Sequence, residues 1–240
     1  MDISPPKLEV INVEGELRFK DGEDLKFQSN SIFIKGGRFV AGTENSCFSS
    51  QLEIELFGTP SDSEIPIYGN KMIGVREGLL ELNGCPLTRT WTVLNGSINA
   101  GERTLTVVDD ISDWSVGDII VIASTSFEHE ESEQHTIASI SANTITTVDN
   151  FAYSHYGATE SYDNGNHTIQ LRGEVGNLSR KIKVFGSDSD PVPYHGAHIY
   201  ARSDQEERTI IKLAYVEMYN VGQAHQLGRY PINISIGSVL

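Results

Sequence analysis

No run of about 18 apolar residues occurs in the 240-residue chain, so no stretch is written as a membrane-crossing helix. There is no basic cluster either: 33 acids face 18 bases, for a net charge of −15. Phosphate backbones are gripped by clustered Lys and Arg, so nucleic acid is excluded as a partner, and so is an anionic membrane surface. Cysteine is scarce. Cys47 and Cys85 are the only two, too few for a disulfide framework, and they read equally as one bridge or as two buried thiols. The opening MDISPPKLEV carries neither a charged n-region nor an apolar h-region and does not read as a secretion signal. Helical periodicity is almost absent.

What is present is alternation. LEVINV, ELRF, SIFI, QLEIEL, LLEL, TLTVV, IIVI, TIASI, TITTV and KIKVF are short strands separated by Gly, Asn, Asp and Ser turns. The fold class is therefore all-β, with one face of each strand in a core. Four Asn-X-Ser/Thr sequons, at Asn95, Asn166, Asn177 and Asn233, point to a secreted or surface-exposed chain.

A repeat underlies the alternation. Gly15, Gly37, Gly58 and Gly78 stand at strand junctions 22, 21 and 20 residues apart. A period near twenty, with strand–Gly–strand in each unit, is what a right-handed parallel β-helix requires, and it predicts about four coils before Trp91. Gly suits a coil that turns sharply, often at φ > 0, against its neighbour. An evenly spaced β-sandwich is the competing reading. From Thr104 to Val148 the turns shorten to a hairpin rhythm, read as a small β-barrel-like insert. The expected organisation is residues 1–150 as a first domain, 151–167 as an exposed loop, and 168–240 as resumed coils beginning with HTIQLRG. The last residues show no polar cap, and the expectation is that the chain is incomplete at its C-terminus.

The densest chemistry runs from Ser112 to Ile137. On an extended strand His129, Glu131, Glu133 and His135 share one side, and such a set suits Ca²⁺; a solvated charge run is the competing reading. Asp118, after Gly117, is placed to close a turn. Ser124 and Thr125 have no base set by sequence to activate them. Further on, His195 and His198 in YHGAHIY and His225 with Arg229 in AHQLGRY fall on successive coils, where a groove would gather His198, His225 and Arg229. Glycan hydrolysis needs two carboxylates about 5–10 Å apart, and Glu217 or the Asp188/Asp190 pair are the candidates. Tyr194, Tyr200 and Tyr230, with Arg202, are candidate sugar contacts. Buried or turn-capping histidines are the alternative reading of the same residues.

Taken together, ISPPKLEVINVEGELRF, IKGGRFVAGTE, EIPIYGNKMIGVREGLLELNG, TWT and DWSVGDIIVIASTS resemble a G8 domain. RKIKVFG, HGAHIY, VEMYNVGQ and LGRYPI are similar to the β-helix that follows it in the cell-migration-inducing and hyaluronan-binding proteins, the transmembrane cell-surface hyaluronidase and fibrocystin-L. The resemblance implies an extracellular module. For some members it implies calcium-dependent hyaluronan cleavage, and for others a large receptor-like surface protein without catalysis. The family motif continues LGRYPIHFH, whereas Asn233 and Ser235 stand here in place of its two histidines. The N-terminus also enters the pattern partway in. The resemblance thus implies a fragment that binds or accompanies an extracellular glycan such as hyaluronan without cleaving it, or a non-catalytic ectodomain fragment.

Overall fold

The structure is a computed structural model that describes residues 1–189, 192–203 and 208–236; Asp190, one of the candidate carboxylates, lies outside them. Among the described residues there are strands and two short 3₁₀ turns and no α-helix. The chain divides into two compact units: Met1–Pro86 with Arg180–Leu240, and Leu87–Ser179.

The first unit begins with β1 (Leu8–Val13), β2 (Glu16–Arg18), β3 (Leu25–Lys35), β4 (Arg38–Ala41), β5 (Leu52–Leu56), β6 (Met72–Arg76) and β7 (Leu79–Asn83). Every pairing among them is parallel and in register. β2, β4 and β7 stack as one sheet; β1, β3, β5 and β6 belong to another. Alternation sends Phe27, Ile32, Ile34, Leu52, Ile54 and Ile73 into a shared core, each worth about 1.5–3 kcal/mol of burial. Phe19, Phe27 and Phe39 meet edge to face with centroids 5.1–5.7 Å apart.

Gly15, Gly37 and Gly78 form a column at the corner between the two sheets. Arg38 N–H donates to the Gly15 carbonyl at 2.8 Å, and Leu79 N–H to that of Gly37 at 2.9 Å. Gly58 is not part of it. The eleven-residue β3 pairs β5 with its first half and β6 with its second. β5 and β6 therefore share one layer on β3, interrupted by an excursion over 57–71 that Gly58 opens. Three layers of parallel strands precede Trp91, where the glycine spacing predicts about four repeats. The second column glycine, Gly37, and the third, Gly78, also lack the positive φ expected of them. Cys47 and Cys85 are bridged, tying the turn after β4 to the turn after β7.

The second unit holds β8 (Trp91–Val93), β9 (Thr104–Thr106), β10 (Ile119–Ile122), β11 (Glu133–Ser141), β12 (Thr144–Thr147), β13 (Gly157–Tyr162), β14 (His167–Arg172) and β15 (Glu174–Asn177). Six of them form one sheet in the order β8-β15-β10-β11-β12-β9, every pairing antiparallel. Its outer strands are bridged, since Asn95 N–H donates to Thr106 at 2.7 Å and Val108 N–H to Val93 at 3.0 Å. The sheet curls round Leu94, Val107, Trp114, Ile120, Ile145 and Phe151. The sheet of this unit thus curls, and it takes in more than Thr104–Val148, because β8 pairs with the distant β15. The stretch 151–167 is not a loop throughout. Phe151 and His155 are buried, and β13 pairs with β14 as a hairpin. HTIQLRG belongs to that hairpin and does not resume the stack.

The first unit resumes with β16 (Ile182–Gly186), β17 (His198–Ser203), β18 (Ile210–Ala214), β19 (Val216–Tyr219) and β20 (Ile232–Ile236). β16 lies on β5, β17 on β6 and β18 on β7, all parallel, and β19 and β20 follow on β16 and β17.

Candidate functional site

In the second unit, the chain after β10 does not stay extended. His129–Glu131 is an exposed 3₁₀ turn, and Glu131 accepts the Ser126 hydroxyl at 2.6 Å. Two-residue alternation is lost there, so the premise that His129, Glu131, Glu133 and His135 share a side fails. Among the described residues no group of three or more His, Cys, Asp or Glu is placed to hold a metal ion. Glu133 instead meets His135 and a residue the sequence did not single out, His155. Its carboxylate faces His155 Nε2 at 2.8 Å and His135 Nε2 at 3.0 Å. It also accepts the backbone N–H groups of Ala152 at 2.8 Å and Tyr153 at 3.1 Å. Burial works to raise the Glu133 carboxyl, and these hydrogen bonds outweigh it and hold it below its ordinary value. Four donors on two oxygens make this a structural hub. No local pattern marks His155, which reaches Glu133 from a turn-rich segment. Asp118 closes its turn as its Gly-Asp context implies, accepting Ser115 N–H at 2.9 Å.

In the first unit, the excursions between β5 and β6, before β17, and between β19 and β20 come together. His198 N–H donates to Lys71 at 3.2 Å, and Ala224 N–H to Tyr194 at 2.9 Å. Arg229 is spent here. Its Nη2 donates to both Glu64 oxygens at 2.8 Å and its Nη1 to Gln223 at 2.9 Å. The guanidinium lies on Gly69, where a Cβ would stand 3.0 Å from Cζ. His198 is fully buried and its Nε2–H donates to the Tyr68 carbonyl at 2.8 Å. Burial pushes its pKa down to about 4. His195 is buried too, and burial, with Lys71 and Arg229 nearby, lowers it. His225 sits at a left-handed φ of 63° with its ring edge-on to Tyr194.

A cleft of about 640 Å³ opens over Arg229, lined also by Tyr194, Gln223, His225, Leu227 and Tyr230. The structure thus brings His225, Arg229, Tyr194 and Tyr230 together, with His198 buried beside them. It does not bring Glu217, which lies on β19, accepts Arg180 N–H at 3.0 Å and pairs with Lys183 at 3.7 Å. Tyr200 packs edge-on to Tyr68 with centroids 5.3 Å apart, and Arg202 is half-buried on β17 beside Arg76. Asp188 accepts Asn220 Nδ2 at 3.4 Å. Glu64 is a carboxylate that the sequence alone does not single out, because EIPIYGNK stands out there only as part of the G8-like pattern. Of the four sequons, Asn95 and Asn166 are exposed and Asn233 is half-buried on β20. Asn177 is buried, with Nδ2 donated to Asp118 at 2.8 Å.

Residues 1–95 match the G8 domain. Mouse fibrocystin-L is 35% identical over 272 residues, an alignment that covers 97% of this chain and 6% of the relative. Human fibrocystin-L gives 35% over 274 residues with the same two coverages. A Dictyostelium discoideum protein is 32% identical over 266 residues, covering 98% of this chain and 23% of its own length. The chain therefore spans a small part of the curated relatives it matches. Among the described residues no helix is long and apolar enough to cross a membrane. The chain carries a G8 domain over residues 1–95 and is homologous, along nearly its whole length, to a segment of fibrocystin-L.

Proposed function

We propose that the chain is a non-catalytic segment of a cell-surface or extracellular ectodomain of the fibrocystin-L kind, built as a right-handed parallel β-helix that carries a β-barrel-like insert. Parallel, in-register stacking of β5, β16 and β19 supports the helix, and crossovers between parallel strands are almost always right-handed. One observation carries the absence of catalysis. Two of the candidate groups are withdrawn: His198 is buried and held neutral, and Arg229 is clamped by Glu64. That leaves His225 as the one candidate histidine open at the cleft, and among the described residues the carboxylate pair that hydrolysis needs is not brought to it. The test is incubation of the purified chain with high-molecular-weight hyaluronan, with and without Ca²⁺, followed by size analysis. No shortening is expected. Fragmentation that disappears in Arg229→Ala would overturn the reading and make the cleft an active site.

A second reading, weak glycan binding without cleavage, is favoured by the exposed rings of Tyr194 (76%) and Tyr230 (55%) at the cleft. Open aromatic faces suit sugar rings, whereas Arg229, already paired, offers little to a hyaluronan carboxylate. Titration with hyaluronan oligosaccharides should give a weak response that Tyr194→Ala removes and Arg229→Lys leaves. An unchanged response in Tyr194→Ala sinks it.

A further inference from the structure

The hairpin of β13 and β14 turns its apolar residues to solvent. Antiparallel register sets Ala158 across from Leu171, Glu160 from Ile169 and Tyr162 from His167, all on one face. Thr159, Gln170, Ser161 and Thr168 take the other face. Arg172 anchors the base from that polar side, donating from Nη1 to the Leu94 carbonyl at 2.7 Å. On the apolar side Tyr162, Ile169 and Leu171 are 47%, 50% and 45% exposed. Two strands alone are marginal in water, and an uncovered apolar face leaves them without the packing that would hold them. The Tyr156 hydroxyl donates to Glu160, which draws that carboxylate towards the base of the hairpin. Tyr162, His167 and Ile169 remain as a small patch beside the tip. The turn 163–166 forms that tip, and its exposed Asn166 heads the sequon Asn166-His167-Thr168. His167, the next residue, is the one paired with Tyr162. One Cα step of about 3.8 Å and one strand pairing of about 5 Å keep Asn166 within about 9 Å of Tyr162. An Asn side chain and one pyranose ring span that distance together.

We propose that Asn166 carries an N-linked glycan whose first N-acetylglucosamine lies on Tyr162 and Ile169 and covers this face. Such a glycan rests on the ectodomain reading, because only a secreted chain meets the oligosaccharide donor. In the transfer, the C1–O bond to the donor's lipid diphosphate breaks and a bond from C1 to Asn166 Nδ2 forms. The amide gives up one proton, and the lipid diphosphate leaves. Nδ2 keeps its other N–H, which can retain the bond to Asp163 Oδ2, now 3.3 Å, and so hold the sugar close to the hairpin. The C–H groups on a sugar's apolar face meet the negative face of a Tyr ring favourably. Tethering makes the contact intramolecular, at an effective concentration on the order of millimolar. A protein partner fits this face less well. Three half-exposed side chains fall far short of the roughly 800 Å² that each side of a stable interface buries.

For the test, the 240-residue chain is secreted from a eukaryotic host and its glycans are trimmed to one N-acetylglucosamine per site. Peptide mass spectrometry should find that sugar on Asn166, and NMR should show contacts between its ring protons and the Tyr162 ring. Amide exchange in Gly157–Tyr162 and His167–Arg172 should be at least threefold slower than in Asn166→Gln made the same way. That difference should vanish when both chains also carry Tyr162→Ala, and persist when both carry Tyr162→Phe. A bare Asn166 in a chain glycosylated at the exposed Asn95 would overturn the inference and leave the ectodomain reading standing. Bare sites throughout would sink both. Equal exchange with and without the sugar, or slowing that survives Tyr162→Ala, would overturn the inference as well. So would self-association of Asn166→Gln that Tyr162→Ala abolishes, which would assign the face to a second copy.

Discussion

Gly78 and Gly37 meet backbone to backbone: a Cβ added to Gly78 would stand 2.6 Å from the Gly37 carbonyl oxygen. That oxygen also accepts the Leu79 N–H at 2.9 Å, so it cannot retreat without breaking a ladder bond. Gly37 is pinned the same way against the Gly15 carbonyl, 2.7 Å from where its Cβ would be. Ala at either position is expected to cost about 1–3 kcal/mol in a denaturant titration. Gly15→Ala is the control, since nothing lies within 4 Å of its added Cβ. It should change stability by less than about 0.5 kcal/mol.

The Cys47–Cys85 bridge closes a loop of sequence separation 38. Removing such a link frees the unfolded chain by about 4 kcal/mol on the chain-entropy model. A double Ser variant should lose stability of that order by chemical denaturation. No loss would mean that the turn bonds around Phe48 already fix this corner.

His198 carries a pH dependence whose sign is definite. Its folded pKa, about 4, lies below the ordinary 6.5, so the unfolded chain binds the extra proton first. Its stability contribution is full above pH 6.5 and is lost as pH falls towards 4, on the order of 3 kcal/mol in all. Asp21, Glu55 and Glu133 are also held below their ordinary values, but their losses come mainly below pH 4.5. His195 is lowered as well, so the slope of stability between pH 6.5 and 4.5 should become shallower in His198→Gln and flatten only when His195 is replaced too. An unaltered slope would mean that another group titrates there.

Sequon occupancy should follow burial. After passage through a secretory pathway, Asn166 is expected to carry glycan, because it is exposed at a 3₁₀ turn. Asn177 should be bare, because its amide is buried against Asp118. Peptide mass spectrometry decides both, and glycan on Asn177 would require the second unit to open first.

Strands are legible where apolar residues alternate, as in SIFI, the second half of Leu25–Lys35, whereas its first half, LKFQSN, is not marked by the sequence although its burial alternates as well. The corner glycines were legible as a period, but Gly58 joined the count by spacing alone. Nothing local says that β6 continues the coil begun by β5; that follows from both lying on the single strand β3. The insert showed its hairpins and hid its edges, since Trp91 and Gly176 pair across most of the unit. His198 and Arg229 were found as residue types, while their states were not. Those depend on the Tyr68 carbonyl and on Glu64, both in an excursion whose path no periodicity encodes. His155 was invisible for the same reason.

The pairing of β8 with β15 bears on the order of events in folding. Before the insert forms, the segment that becomes β16 must find β5 across a long stretch of flexible chain, and loop closure of that length is slow and entropically costly. Once Trp91 lies beside Gly176, the two ends of the insert are one strand spacing apart, and the effective tether shrinks to a few residues on either side. An element that interrupts the chain in sequence thereby brings its own two ends together, so residues added to the turns between β8 and β15 would not lengthen the path from β7 to β16.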